Sequence, residues 1–234
     1  MKPLNKKNYG SIPHLLGSKL GGTDKYIHEG QHKILTEKTR DKHDFVIVTE
    51  KYDGSNVGIA RINGKILALT RSSYLAETSP YKQHHVFAKW VAKNKKRFKF
   101  IRDGERLVGE WLLQVHSLKY DILDEPLVLF DYFDINNKRY SYREFALTFM
   151  NDFQLPRIIH CDYSAISIEK AMDILSHSDC RIMTDSPEGV VYRIERKREE
   201  FDFMAKYVRP DFEPGKYCIN VDECDLQWNY KFDM

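Results

Sequence analysis

The sequence predicts an α+β fold built on antiparallel sheets with flanking helices, and three observations carry that prediction. Segments rich in β-branched and aromatic residues recur along the chain. Helical periodicity appears in only three places and does not alternate regularly with the strands, as a parallel α/β sheet would require. An Asn63-Gly64 pair sits between two of the strand-like runs, the strongest short-range signal for a hairpin.

The strand-like segments are Phe45–Thr49, Val57–Ile62, Ile66–Thr70, Arg106–Leu112, Leu127–Phe133, Gly189–Ile194 and Phe203–Val208. The first helix is expected over Gln83–Lys99, where Phe87, Trp90, Val91 and Phe98 recur near helical spacing with lysines opposite. Ser141 with Glu144 forms a capping box for a second helix running to about Asp152. Ser167 can cap a third through Ile168, Ala171, Met172 and Leu175. No repeat, low-complexity tract or long linker interrupts the chain, so residues 1–234 are read as a single domain.

Composition bounds the function. Of 234 residues, 42% are hydrophobic and 30% charged, the balance of a globular protein rather than a disordered one. No apolar run approaches the roughly 18 residues of a membrane span, and Met1–Lys7 is basic without an apolar core behind it, which argues against a secretory signal. Cys161, Cys180, Cys218 and Cys224 lack zinc-knuckle spacing and read as free thiols, so a cytoplasmic location is expected. The net charge of +3 permits nucleic-acid binding without demanding it. Two local clusters are more basic, Lys89–Arg102 and Arg193–Arg198, and each fits a solvated face or a nucleic-acid contact.

The segment Glu50-Lys51-Tyr52-Asp53-Gly54-Ser55-Asn56 lies directly between two predicted strands. A lysine at a strand end, followed by Asp-Gly in a tight turn, can be held with its amine facing a pocket. To act as a nucleophile that amine must lose a proton against a reference pKa near 10.4, and burial or neighbouring cations ease the loss. Gly54 removes a Cβ clash from the turn. An ordinary hairpin turn would use the same residues.

Lys51-Tyr52-Asp53-Gly54 resembles the first motif of the covalent nucleotidyltransferase superfamily of ligases and capping enzymes, and further segments follow in that superfamily's order. Leu69-Thr70-Arg71-Ser72 resembles the second motif and Val108-Gly109-Glu110-Trp111 the third. Leu129-Phe130-Asp131-Tyr132 is similar to the strand that lays an aromatic ring over the base. Pro187-Glu188-Gly189-Val190-Val191 resembles the Glu-Gly-hydrophobic fourth motif, and Ala205-Lys206-Tyr207-Val208-Arg209 the fifth.

The resemblance implies an ATP-grasp-like adenylation fold in which Lys51 takes AMP from ATP. Charge builds on phosphoryl oxygens during that attack, so fixed cations stabilise its transition state. Lys206 is the first candidate, and Arg193, five residues after Glu188, a second. The resemblance further implies that Glu110 accepts from a ribose hydroxyl and that Phe130 stacks on adenine. Glu188 would meet Mg²⁺ or Mn²⁺, since such ions keep oxygen ligands and several waters. Glu50, Asp53, Gly54, Asn56 and Arg71 complete the expected nucleotide-binding set. One departure stands out: the family's fifth motif has two lysines spaced Lys-x-Lys, whereas Lys206 here has Met204 before it and Val208 after it.

Only 25 residues follow Arg209, too few for the oligonucleotide-binding barrel of DNA ligases and capping enzymes. The start, Tyr9-Gly10-Ser11-Ile12-Pro13-His14, and the run His116-Ser117-Leu118-Lys119-Tyr120 resemble the bacteriophage type of RNA ligase. The expectation is an ATP-dependent RNA ligase in minimal form that joins 5′-phosphate to 3′-hydroxyl ends through a lysyl-AMP intermediate and serves RNA repair. Arg71, Asn56 and the Lys93–Arg102 cluster are candidates for holding the RNA ends; an accessory RNA-binding partner stays open. The alternatives are a small ATP-dependent DNA ligase, a GTP-using guanylyltransferase, and a nucleic-acid-binding protein without turnover.

Overall fold

The computed structural model describes residues 2–121, 125–177, 186–222 and 225–231. Their backbone forms two four-stranded sheets in which every pairing is antiparallel, flanked by four helices. The first sheet has the order β6-β1-β7-β8, from Ile158–Asp162, Phe45–Lys51, Gly189–Glu195 and Phe201–Val208. The second has the order β3-β2-β4-β5, from Lys65–Thr70, Ser55–Ile62, Arg106–Trp111 and Leu127–Phe133. The helices are α1 (Glu29–Thr36), α2 (Lys82–Lys93), α3 (Tyr142–Phe149) and α4 (Ile168–Ser176).

Successive side chains of a strand point to opposite faces, and β1 uses both. Val46 and Val48 belong to one core, with Leu35, Leu175, Tyr192 and Ile194. Ile47 belongs to another, with Trp111, Phe87, Trp90, Phe145 and Phe149. Lys51 continues the set of Ile47 and Thr49, and so emerges on the side facing the second sheet. The chain then crosses between the sheets in three residues, Tyr52 to Gly54, before β2 begins.

The expected hairpin forms at Asn63-Gly64, where both residues take positive φ, 51° and 74°. Ser141 and Ser167 cap α3 and α4 by accepting from the backbone N–H groups of Glu144 and Lys170. Two helices are shorter than expected. The run to Lys99 breaks at Asn94, whose amide donates to the Trp90 carbonyl at 2.9 Å, and continues as a 3-10 turn over Lys95–Phe98. The helix expected to reach about Asp152 ends at Phe149.

Three elements were not expected. α1 is short, with only Ile34 and Leu35 as large apolar residues, and its N-cap is His28, whose Nδ1 accepts from Gly30. β6 is a five-residue edge strand whose two apolar residues, Ile158 and Ile159, are adjacent and show no alternation. A strap at Pro13–Leu15 covers the outer edge of β8: Lys206 N–H donates to the Pro13 carbonyl, and Leu15 N–H donates to the Lys206 carbonyl. The strap removes a free sheet edge.

The C-terminal tail packs back on the body. Phe212 is buried with Tyr52, Tyr120 and Val208, and Asn229 ties the carbonyls and amides of Leu112, Leu113 and Tyr120. Phe232, Cys180 and Cys224 lie outside the described residues; Cys161 and Cys218 are free thiols. Among the described residues no helix is long and apolar enough to cross a membrane.

Candidate active site

Register assembles the site. In the first sheet Lys51 pairs with Gly189, which sets Glu188 beside it, and Val191 pairs with Lys206. In the second sheet Asn56 pairs with Glu110. The two groups face each other across a cavity of about 190 Å³ lined by Lys51, Glu50, Asn56, Arg71, Glu110, Phe130, Arg193 and Lys206, with Tyr9, Ile12, Tyr142 and Met204 among its other wall residues.

Lys51 Nζ lies 2.5 Å from Glu188 Oε2, with side-chain exposures of 21% and 6%. Burial pushes the Glu188 carboxyl up to about 7 and the Glu110 carboxyl up to about 8. For Lys51, burial favours the neutral amine, yet the Glu188, Glu110 and Asp53 charges outweigh it and hold the pKa above its ordinary value. The amine is therefore held as an ammonium beside Glu188. Lys206 goes the other way: burial, then the nearby Lys51 charge, lower its pKa.

Glu110 Oε1 accepts from the Gly54 N–H at 3.2 Å. A Cβ on Gly54 would stand 2.6 Å from the Trp111 carbonyl oxygen, so this glycine is needed for close approach between strands. Asp53 faces away from the cavity: its carboxylate accepts from Ser117 N–H and its own N–H donates to Tyr120 Oη, both at 2.7 Å. It anchors the 116–120 loop and is not among the residues lining the cavity, unlike the expectation, although its charge still reaches Lys51. Glu50 is buried and accepts from Tyr52 Oη at 3.3 Å.

Phe130 is half-buried on one wall, with Tyr9 packed edge-on against it at 5.2 Å. Arg71 stands exposed at the mouth, donating to Ser11 Oγ at 3.2 Å. Asn56 Oδ1 is buried without a hydrogen-bond partner, an acceptor suited to a ligand hydroxyl or amine.

Arg193 also differs from expectation. Its guanidinium is 5% exposed and donates to Glu195 at 2.7 Å, Asp131 at 3.3 Å and the Tyr140 carbonyl at 2.6 Å. These bonds tie β7 to the second sheet and leave the arginine a structural brace. Arg209 is not among the cavity's lining residues; it donates to the Pro187 carbonyl and pairs with Asp211.

Sequence reasoning assigned no role to a network behind Lys206. Its ammonium lies 3.8 Å from Asp24 Oδ2, which accepts from Gly21 N–H at 3.1 Å and bonds His14 Nε2 at 3.0 Å; His14 Nδ1 meets Ser18 Oγ at 2.6 Å. The strap thus fixes both backbone and side chain of the one lysine in the fifth motif. The cavity-facing position two residues earlier carries Met204, whose sulfur accepts from Tyr9 Oη at 3.5 Å.

Among the described residues, no three His, Cys, Asp or Glu side chains converge as a ready-made metal site. A divalent ion at Glu188 would have to draw its other ligands from phosphate and water, which is the habit of Mg²⁺.

A family model described as RNA ligase matches residues 44–208. No curated protein matches the chain in sequence. Among solved structures, Naegleria gruberi RNA ligase with PPi is similar at 18% identity and a TM-score of 0.55, covering 84% of this chain and 59% of that one. Substituted forms of that ligase, with ATP and Mn and with AMP and Mn, match at 16% and 17% identity with TM-scores of 0.52 and 0.53. They cover 87% of this chain and 61% of theirs. At these identities the likeness is one of fold, and the chain spans about three-fifths of the length of those ligases.

Proposed function

The chain belongs to the RNA ligase family, and from that premise we propose that it is an ATP-dependent enzyme that seals 5′-phosphate to 3′-hydroxyl RNA ends through Lys51. The observation that carries the reading is a half-buried lysine 2.5 Å from a buried glutamate, on the wall of a cavity that it shares with Phe130, Glu110, Arg71 and Lys206. The fold it shares with a ligase whose structures hold ATP with Mn, AMP with Mn, and PPi supports the choice of ATP and of a divalent cation.

In the first step Lys51 Nζ gives up a proton and attacks the α-phosphorus of ATP. An N–P bond forms, the bond to the bridging oxygen breaks, and pyrophosphate leaves. Lys206 offsets the charge that develops on the α-phosphoryl oxygens, while Arg193 acts only as a brace. Phe130 presents its face to the adenine, and Glu110 and Asn56 accept from ribose hydroxyls or hold the neighbouring RNA end. A divalent ion bound with Glu188 supplies charge neutralisation for the triphosphate. AMP then passes to an RNA 5′-phosphate, and a 3′-hydroxyl displaces it to seal the strand, with Arg71 holding an end at the cavity mouth. Free thiols at Cys161 and Cys218 suit work in a reducing compartment such as the cytoplasm, in RNA repair.

The test is covalent labelling with α-³²P-ATP and a divalent metal, read on a denaturing gel beside Lys51→Ala and beside GTP. The expected result is a metal-dependent band with ATP alone that pyrophosphate discharges and the variant lacks. A wild-type protein that folds and takes no label from either nucleotide would sink the proposal. Label from GTP in place of ATP would turn it toward a guanylyltransferase.

A further inference from the structure

The basic cluster at Lys93–Arg102 does not act as one unit. Arg97 pairs with Glu125 at 2.6 Å and Arg102 with Glu105 at 2.6 Å, so their charges are matched within the fold. Lys95, Lys96 and Lys99 instead line a groove of about 580 Å³ between the 3-10 turn after α2 and the hairpin end of β3. Arg61 and Lys65 reach the same groove from the hairpin, against the single carboxylate of Glu77. Among the described residues, none of the four lysines has a carboxylate within ion-pair distance. Arg61 is fixed by backbone carbonyls, those of Ile101, Gly64 and Lys99, which leaves its charge unmatched too.

Position gives this groove its meaning. It lies at the far end of β3 from Arg71. A second groove, of about 520 Å³, begins at the catalytic cavity, with which it shares Asn56, Arg71 and Glu110. It runs past Tyr74 to Tyr81 and His84 at the start of α2. The two grooves meet at the 3-10 turn over Ala76–Thr78, where Thr78 lines one and Glu77 the other. From Lys65, in the basic groove, to Thr70, beside Arg71, β3 spans about 17 Å. That is on the order of five nucleotides of a helical strand at about 3.4 Å each.

The geometry points to the groove between β3 and the end of α2 as a docking site for the RNA phosphate backbone, on the order of five nucleotides from the ends being joined. The inference rests on the RNA-joining reading of the catalytic cavity and adds to it a second point of contact. Five cations facing one carboxylate suit a run of phosphates. Among the described residues no aromatic side chain lines the groove, so contact there is to the backbone and carries no base preference. Such a site compensates for a catalytic cavity whose own cations are largely committed to carboxylates, and it selects for substrates with an arm long enough to reach it.

The experiment compares the chain with its triple variant K95A/K96A/K99A on nicked RNA duplexes with arms of about 4 or about 16 base pairs, sizes set by the five-nucleotide reach. Kd is measured by fluorescence anisotropy across a KCl series, and covalent labelling with ATP is measured in parallel. The three lysines are exposed, and the K95R/K96R/K99R protein controls for folding. On the long substrate the alanine variant should lose about tenfold or more in affinity, with the slope of log K against log salt falling by about 2 to 3; the arginine variant should retain both. On the short substrate, and in ATP labelling, wild type and variant should coincide. Equal affinity and slope on the long RNA would overturn the proposal, as would an equal loss on both substrates. Displacement of the long RNA by polyglutamate at matched charge would reassign the groove to acidic protein. Absent ATP labelling in the wild type would condemn the ligase reading itself, a failure the binding curves do not share.

Discussion

Gly189 is the residue through which backbone packing controls the chemistry. It follows Glu188, pairs with Lys51 on one side and with Val208 on the other, and a Cβ built on it falls 1.8 Å from the Tyr207 carbonyl oxygen. Ordinary van der Waals contact begins near 3.4 Å, so Gly189→Ala places a methyl group at about half the tolerable separation. The opposing atoms are backbone, with the Tyr207 carbonyl carbon at 2.8 Å and Val208 Cα at 3.1 Å, and they cannot swing aside as a side chain would. The β7–β8 ladder has to part locally, and Glu188 and Lys206 part with it. Overpacking of this kind costs on the order of 1–3 kcal/mol, and a displacement near 1 Å at a reacting centre costs about a hundredfold in rate. Urea unfolding should show a lowered midpoint at unchanged slope, and single-turnover transfer of labelled AMP to the protein should slow by about two orders of magnitude. Gly22→Ala, where nothing lies within 4 Å, is the matched control. Wild-type stability together with a wild-type labelling rate in Gly189→Ala would refute the reasoning.

Three further outcomes are expected. Arg193→Met strands Asp131 and Glu195, which are 1% and 2% exposed, and should cost about 3–5 kcal/mol in urea unfolding, although Arg139 still serves Asp131 at 2.6 Å; a loss below about 1 kcal/mol would mean that the brace is dispensable. Asp24→Asn keeps an acceptor for His14 but removes the charge beside Lys206. Covalent labelling should slow by about tenfold, while the unfolding midpoint stays within about 1 kcal/mol of wild type; an unchanged rate would show that Lys206 needs no anchor. Burial lowers the His84 pKa to about 4, against an ordinary value near 6.5. Between those values the unfolded chain binds the extra proton, so His84 favours folding above pH 6.5 and withdraws that support as the pH falls toward 4. His84→Gln should flatten the acid limb of the stability curve by up to one proton's slope, about 1.4 kcal/mol per pH unit at most; an unchanged limb would mean that the ring titrates normally.

Much of the fold was legible because its signals are local. The Asn63-Gly64 hairpin, the Ser141 and Ser167 caps and the strand that ends at Lys51 each follow from a few adjacent residues. The ordered motifs also named much of the polar part of the cavity wall, including Lys51, Glu110 and Lys206, with Phe130 beside them. Hidden from view was everything set by partners distant in sequence. Arg193 reads as a cation free for phosphate until Asp131, 62 residues away, is found beneath it. Asp53 reads as a pocket carboxylate until Ser117 claims it. α1 carries a histidine cap and few large apolar residues, and β6 is an edge strand without alternation, so neither offers the periodicity on which sequence reading depends.

The strap on β8 also bears on the order in which the molecule assembles. It joins Ser18 to Val208 across 190 residues of chain, and Lys206 takes its final seat only when that loop closes. Contacts between such remote positions carry a large closure entropy and form late in folding. During synthesis the strap leaves the ribosome long before β8 exists, so a growing chain can display Lys51 and the whole second sheet while Lys206 is still unmade. Completion of the cavity is thereby tied to closure between segments 190 residues apart, and a chain that stops short of β8 lacks the wall that Lys206 provides.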